Sequence, residues 1–209
     1  KARQAGENVM EKTLKGMRAK VAEASQEMRE LGITVQTAAN RAERVTIKDY
    51  VGNVAKNIRS QMADFYKQFG VDAGRVAEIF QDADPRAYCL SMGNITGDKI
   101  SLGVSWDSKR VLWHEMGHSV EFHSETNDVA RAWLARRATG APIKLNDILN
   151  TGRYKDDEIA FPNHFYHAYV GKDYGDGYTE VMSMGLEGFI DAKTLLNLWL
   201  QDREHFRLI

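Results

Sequence analysis

The sequence predicts an α+β fold, mostly helical, with a small antiparallel hairpin and a helical extension at the N-terminal end. Three observations carry this. Apolar residues recur at helical spacing through most of the chain, two short β-prone runs flank a Gly-Asn turn, and Gly and Pro punctuate the segments between. Residues 1–70 read as the extension and residues 71–209 as the main domain.

In the extension, Met10, Leu14, Met17, Val21, Ala24, Met28 and Leu31 follow at alternating steps of four and three, a heptad seam that Gly32 stops. Such a stripe packs on a neighbouring helix, or serves self-association or docking to another protein through residues 10–31. Residues 33–45 read as a connector with a short extended piece. A second helix is expected from Thr46 to Phe69, with Tyr50, Val54, Ile58, Met62, Phe65 and Phe69 on one face and Gly70 as its end. A short helix over Ala73 to Phe80 and a turn at Asp82 to Pro85 follow. Tyr88 to Met92 and Lys99 to Val104 form the hairpin, and the second strand is expected along the edge of a cleft, where an extended peptide could add. Ser105 to Ser108 caps a helix from Lys109 to His123. Further helices are expected over Asn127 to Thr139, Thr179 to Phe189 and Lys193 to Phe206. The aperiodic, aromatic stretch 140–178 is long enough to suggest a functional loop.

Composition narrows the class. Lys and Arg number 28 against 29 Asp and Glu, so nothing points to a nucleic-acid or membrane partner. No apolar run is long enough to span a bilayer. One cysteine, Cys89, excludes an intrachain disulfide and favours the cytoplasm or a particle assembled there.

The chemistry sits in Trp113-His114-Glu115-Met116-Gly117-His118, which contains His-Glu-x-x-His. On a helix, residues four apart share a face, so both imidazoles can reach one metal ion, with Glu115 beside it as a base toward water. Zn²⁺ is the expected metal, and a catalytic zinc needs three protein ligands and an open position. Glu180, at the start of a second helix about sixty residues on, is the expected third ligand. It can approach from the side, whereas Glu121 would have to bend back along its own helix. His123, nine residues after His114, faces the opposite way on a continuous helix. Ser183 and Glu187, one and two turns beyond Glu180, could hydrogen-bond the outer nitrogen of a ligating histidine. Glu121 competes for a ligand or supporting role. His164, Tyr166, His167, Tyr169, Tyr174 and Tyr178 together suggest an aromatic-lined cleft.

The string Trp113 to Glu121 resembles the zinc helix of gluzincins. Together with Tyr166 to Tyr174 and Thr179 to Glu187, it is similar to the zincin-like domains of phage head-morphogenesis (minor head) proteins, over roughly residues 85–190. A more remote likeness is to the catalytic domain of anthrax lethal factor, which has a Tyr a few residues before its Glu ligand. The resemblance implies a zincin-like fold, zinc, a metal-activated water attacking a peptide or protein substrate, and Tyr174 as the group that stabilises the transition state. It also implies a virion-associated or cytoplasmic setting. A zinc-holding virion component without turnover, or a host-directed effector peptidase, are the alternatives.

Overall fold

The computed structural model describes residues 13–22, 35–104, 108–123, 125–162, 164–175 and 177–209. The described part of the heptad segment, residues 13–22, is helical (α1), and its seam residues Leu14 and Val21 are exposed. The rest of that seam (Met10 and Ala24 to Leu31), the stop at Gly32 and the start of the connector, residues 33–34, lie outside the described residues, as do Ser105 to Asp107.

The α+β class holds, but the sheet is larger and mixed. Strands β1 (Thr46–Ile47), β2 (Val76–Phe80), β3 (Tyr88–Leu90) and β4 (Asp98–Ser101) lie in the order β1-β2-β4-β3. β3 and β4 pair antiparallel, as the hairpin reading expects, whereas β1–β2 and β2–β4 are parallel. Two corrections follow. Residues Ala73 to Phe80 are not a helix but contain β2, whose Val76 and Ile79 are buried inside the sheet. A short apolar run has no decisive period, and partners on both sides settle it as a strand. The expected cleft-edge strand, Lys99 to Val104, lies inside the sheet as β4, and β3 takes the edge.

Residues Val35–Glu43, expected as a connector, form helix α2, which buries Ala38 and Ala42 against helix α3 (Gly52–Phe69). The start of the second expected helix is instead strand β1, and Gly70 ends α3 with φ of 102°, a backbone that suits glycine. Between β3 and β4 lies a single turn, α4 (Gly93–Thr96). Ile58, Met62, Phe65 and Tyr66 of α3 pack in one core with Ile79, Ile100 and helix α5 (Lys109–Glu121). Trp113 of α5 donates its indole N–H to the Gln61 carbonyl at 3.0 Å and stacks edge-on against Phe65. The chain on either side of residue 70 therefore shares a core.

Helix α6 (Glu125–Arg137) follows. The stretch 140–178 is not structureless: β5 (Ile143–Lys144), β6 (Ile159–Ala160) and β7 (Lys172–Asp173) form a second, antiparallel sheet. Helix α7 (Leu145–Leu149) and a 3₁₀ turn (Ala168–Gly171) join them. The last helices are α8 (Val181–Glu187), α9 (Ala192–Gln201) and α10 (Arg203–Leu208). The single helix expected from Lys193 to Phe206 breaks at Asp202, whose backbone leaves the helical region (φ −146°, ψ 75°) and whose carboxylate caps α10 by accepting from the His205 amide and pairs with Arg137 at 2.7 Å. Among the described residues no helix is long and apolar enough to cross a membrane.

Candidate metal centre

Helix α5 begins at Ser108, whose hydroxyl accepts from the Val111 amide, and runs with its middle turns buried. That burial brings His114 and His118 to the floor of a cleft of 770 Å³, bounded on one side by β3 and on the other by Tyr169, Tyr174 and Glu180. Helix α8 crosses α5 closely enough that Gly117 has no room for a side chain: a Cβ there would lie 2.6 Å from Ser183 Cα. This close crossing sets Glu180, at the N-terminal end of α8, opposite both histidines.

His114 Nε2 lies 3.2 Å and His118 Nε2 3.3 Å from the same oxygen, Glu180 Oε2. In a tetrahedral shell with ligands at about 2.0–2.1 Å, neighbouring ligand atoms stand about 3.3 Å apart. The three side chains therefore fit around a small divalent cation, and among the described residues theirs is the one His, Cys, Asp and Glu group able to hold a metal ion. The electrostatics agree. Burial would lower the His114 pKa, but Glu180 and Glu187 beside it hold it well above the ordinary histidine value. Burial would raise that of Glu180, but His118 and His114 hold it well below the carboxylate range. A buried carboxylate that demands positive charge from two imidazoles makes the same demand that a cation meets.

The supporting residues divide the work. Glu187 Oε2 accepts from His114 Nδ1 at 2.9 Å, which leaves Nε2 free to face the cluster, while its other oxygen takes two N–H groups of Arg110 at 3.0 and 2.8 Å. Ser183 hydrogen-bonds Glu180 rather than a histidine. Its hydroxyl donates to Glu180 Oε2 at 2.6 Å and so orients the carboxylate instead. Tyr174 donates to the other oxygen, Glu180 Oε1. Glu121 is neither a ligand nor a histidine partner. Fully buried, it accepts from the backbone N–H groups of Thr179 at 2.6 Å and Met182 at 3.4 Å, pinning the chain on both sides of Glu180. His123 turns away to Asp98, at 3.0 Å.

Glu115 is 5% exposed and lines the cleft beside the cluster, and burial pushes its carboxyl above the usual range. Tyr178 packs edge-on against Phe122, which stacks on His118. Tyr166 is structural: its hydroxyl donates to the Met184 carbonyl at 2.6 Å. Sequence reasoning missed Gly117 as the crossing point and missed Arg86, Glu158 and Lys172, which meet in the cleft wall. No short motif joins those three, so no local signal marks them.

No family model matches the chain, and neither a curated protein nor a solved structure matches it.

Proposed function

We propose that this chain is a zinc-dependent metallopeptidase of the gluzincin type, hydrolysing peptide bonds in a peptide or protein substrate. The observation that carries the reading is the single oxygen of Glu180 set about one tetrahedral edge from both histidine nitrogens, with Glu115 buried next to them. His114, His118 and Glu180 would hold the ion. Zinc in such a shell supplies Lewis acidity, making water nucleophilic near neutral pH and polarising a carbonyl.

The remaining steps belong to the protein. Glu115 takes the proton of the attacking water and returns it to the leaving amine, a role that a carboxyl with a raised pKa suits. Glu187 fixes the His114 tautomer. Tyr174 lines the cleft, and desolvation of its hydroxyl together with the Glu180 carboxylate beside it keeps the phenol protonated, so it can donate toward the oxygen of the attacked carbonyl once it releases Glu180. A base beside the cluster favours turnover over a purely structural zinc site, which has no use for one. The likeness to phage minor head proteins points to a virion-associated or cytoplasmic setting.

The test is direct. Protein purified without chelators is expected to carry one zinc per chain and to cleave members of a mixed peptide library, with cleavage abolished by chelator. Protein that arrives metal-free and takes up no added zinc sinks the metal assignment. Zinc-loaded protein that cleaves nothing in the library sinks the peptidase assignment.

A further inference from the structure

The contacts around Glu180 continue into the cleft wall. Lys172, in β7, is buried. Its Nζ donates to Glu158 Oε1 at 2.8 Å and to the Tyr169 hydroxyl at 3.2 Å, and it lies 4.1 Å from the centre of the Tyr174 ring. Glu158 already has a cation: Arg86 donates to both of its oxygens, at 3.2 and 3.0 Å. Tyr174 donates to Glu180 Oε1, and Tyr169 lines the same cleft.

Burying an ammonium is costly, and apolar side chains commonly replace a whole buried ion pair at no loss of stability. Lys172 is also not required to neutralise Glu158, which Arg86 serves. Its remaining contacts are two phenols that line the cleft, and one of them, Tyr174, donates to the proposed ligand. An ammonium hydrogen bonded to the Tyr169 oxygen leaves that phenol's own proton to point onward, and its position over the Tyr174 ring favours one placement of that ring.

We propose that Lys172 is a positioning residue of the metal centre, holding Tyr169 and Tyr174 so that phenol hydrogen bonds fix Glu180 Oε1 and leave Oε2 facing the histidines. The proposal rests on the metal reading above. Its prediction is non-additivity, since Lys172 acts only through the two phenols.

Zinc affinity, measured by chelator competition, is compared in four proteins: wild type, Lys172→Met, the double variant Tyr169→Phe/Tyr174→Phe, and the triple variant. Loss of a group that orients a metal ligand weakens binding by about tenfold to a hundredfold. Lys172→Met is expected near the lower end, and the triple variant is expected to match the double variant. Wild-type affinity in Lys172→Met, or a further tenfold loss in the triple variant, overturns the proposal. A wild type that binds no zinc overturns the metal reading itself, a separate result. Should Lys172→Met fail to fold by circular dichroism, Glu158→Gln leaves Lys172 in place without its charged anchor. It is expected to weaken zinc binding in the wild-type background but not in the double-Phe background, and equal effects in both overturn the proposal.

Discussion

At the residue scale, the two buried carboxylates of the candidate site, Glu180 and Glu115, differ in their contacts and in the direction of their pKa shifts. Both Glu180 oxygens are committed, Oε2 to the histidines and Ser183 and Oε1 to Tyr174, so its carboxylate is held in one orientation. Glu115 shares the burial but not those contacts, and its pKa moves the opposite way, upward by burial where that of Glu180 is held down by His118 and His114. Paired carboxylates pushed apart in this way mark different roles. Glu115→Gln keeps the shape and leaves the three candidate ligands untouched. It is expected to retain one zinc per chain while hydrolysis falls by about a hundred- to ten-thousand-fold. Zinc analysis and initial rates on the same preparation check this, and turnover near wild type in the variant removes Glu115 from the mechanism.

At the scale of elements, the crossing of α5 and α8 decides whether the residues meet. In an ordinary exposed helix, Gly→Ala stabilises by about 1 kcal/mol through propensity. At Gly117 the new methyl would meet Ser183 backbone atoms at 2.6 and 3.1 Å, and backbone cannot rotate aside. Overpacking of this kind costs about 1–3 kcal/mol. Gly117→Ala is therefore expected to be less stable in urea unfolding and to bind zinc more weakly, because α8 carries Glu180 away from the histidines. A variant as stable as wild type with unchanged zinc affinity would show that the helices do not cross this closely. The same crossing explains what the sequence could disclose. His114, Glu115 and His118 are legible because two histidines on one helix face are written in local spacing, and Ser183 and Glu187 follow from Glu180 by helical period. Gly117 was passed over because its need for space exists only once α8 is in place. The partners of Glu121 are not legible in the sequence because the amides that donate to it lie 58 and 61 residues away. Arg86 and Glu158 are 72 residues apart and join two sheets that local pattern does not connect. Strand β2 was misread for a similar reason: its partners come from either side of it in the chain, and five residues alone show no clear period.

At the scale of the whole molecule, the C-terminal helices tie acid sensitivity to the element that bears Glu180. His205 of α10 is fully buried, and its Nε2 lies 2.7 Å from the Val181 carbonyl at the start of α8. Trp133 and Tyr166 pack against its ring, and Asp202 and Arg137 are the charged groups near it. Burial pushes its pKa down to about 4 from 6.5, although the Val181 hydrogen bond and Asp202 pull the other way. The sign follows from proton uptake. Above the unfolded value both states hold a neutral imidazole, and the contribution of His205 is complete. As pH falls from 6.5 toward 4, the unfolded chain takes a proton that the folded chain refuses, so stability is lost through that window. The carboxylates held low, Glu158 among them at about 2, act only below their ordinary value of 4.5. His114 and His118, held high, change stability only above 6.5. His167, lowered by burial, and Glu115 and Glu121, raised by it, also act above pH 4.5, so a variant is needed to isolate His205. With chelator present to remove metal effects, urea unfolding of the wild type at pH 7.5 and pH 5.0 should differ by on the order of 2 kcal/mol from this group alone. His205→Gln loses that part of the difference whatever its absolute stability, since glutamine does not titrate. If the variant and the wild type lose the same amount between the two pH values, His205 is not the group through which acid loosens α10 from α8.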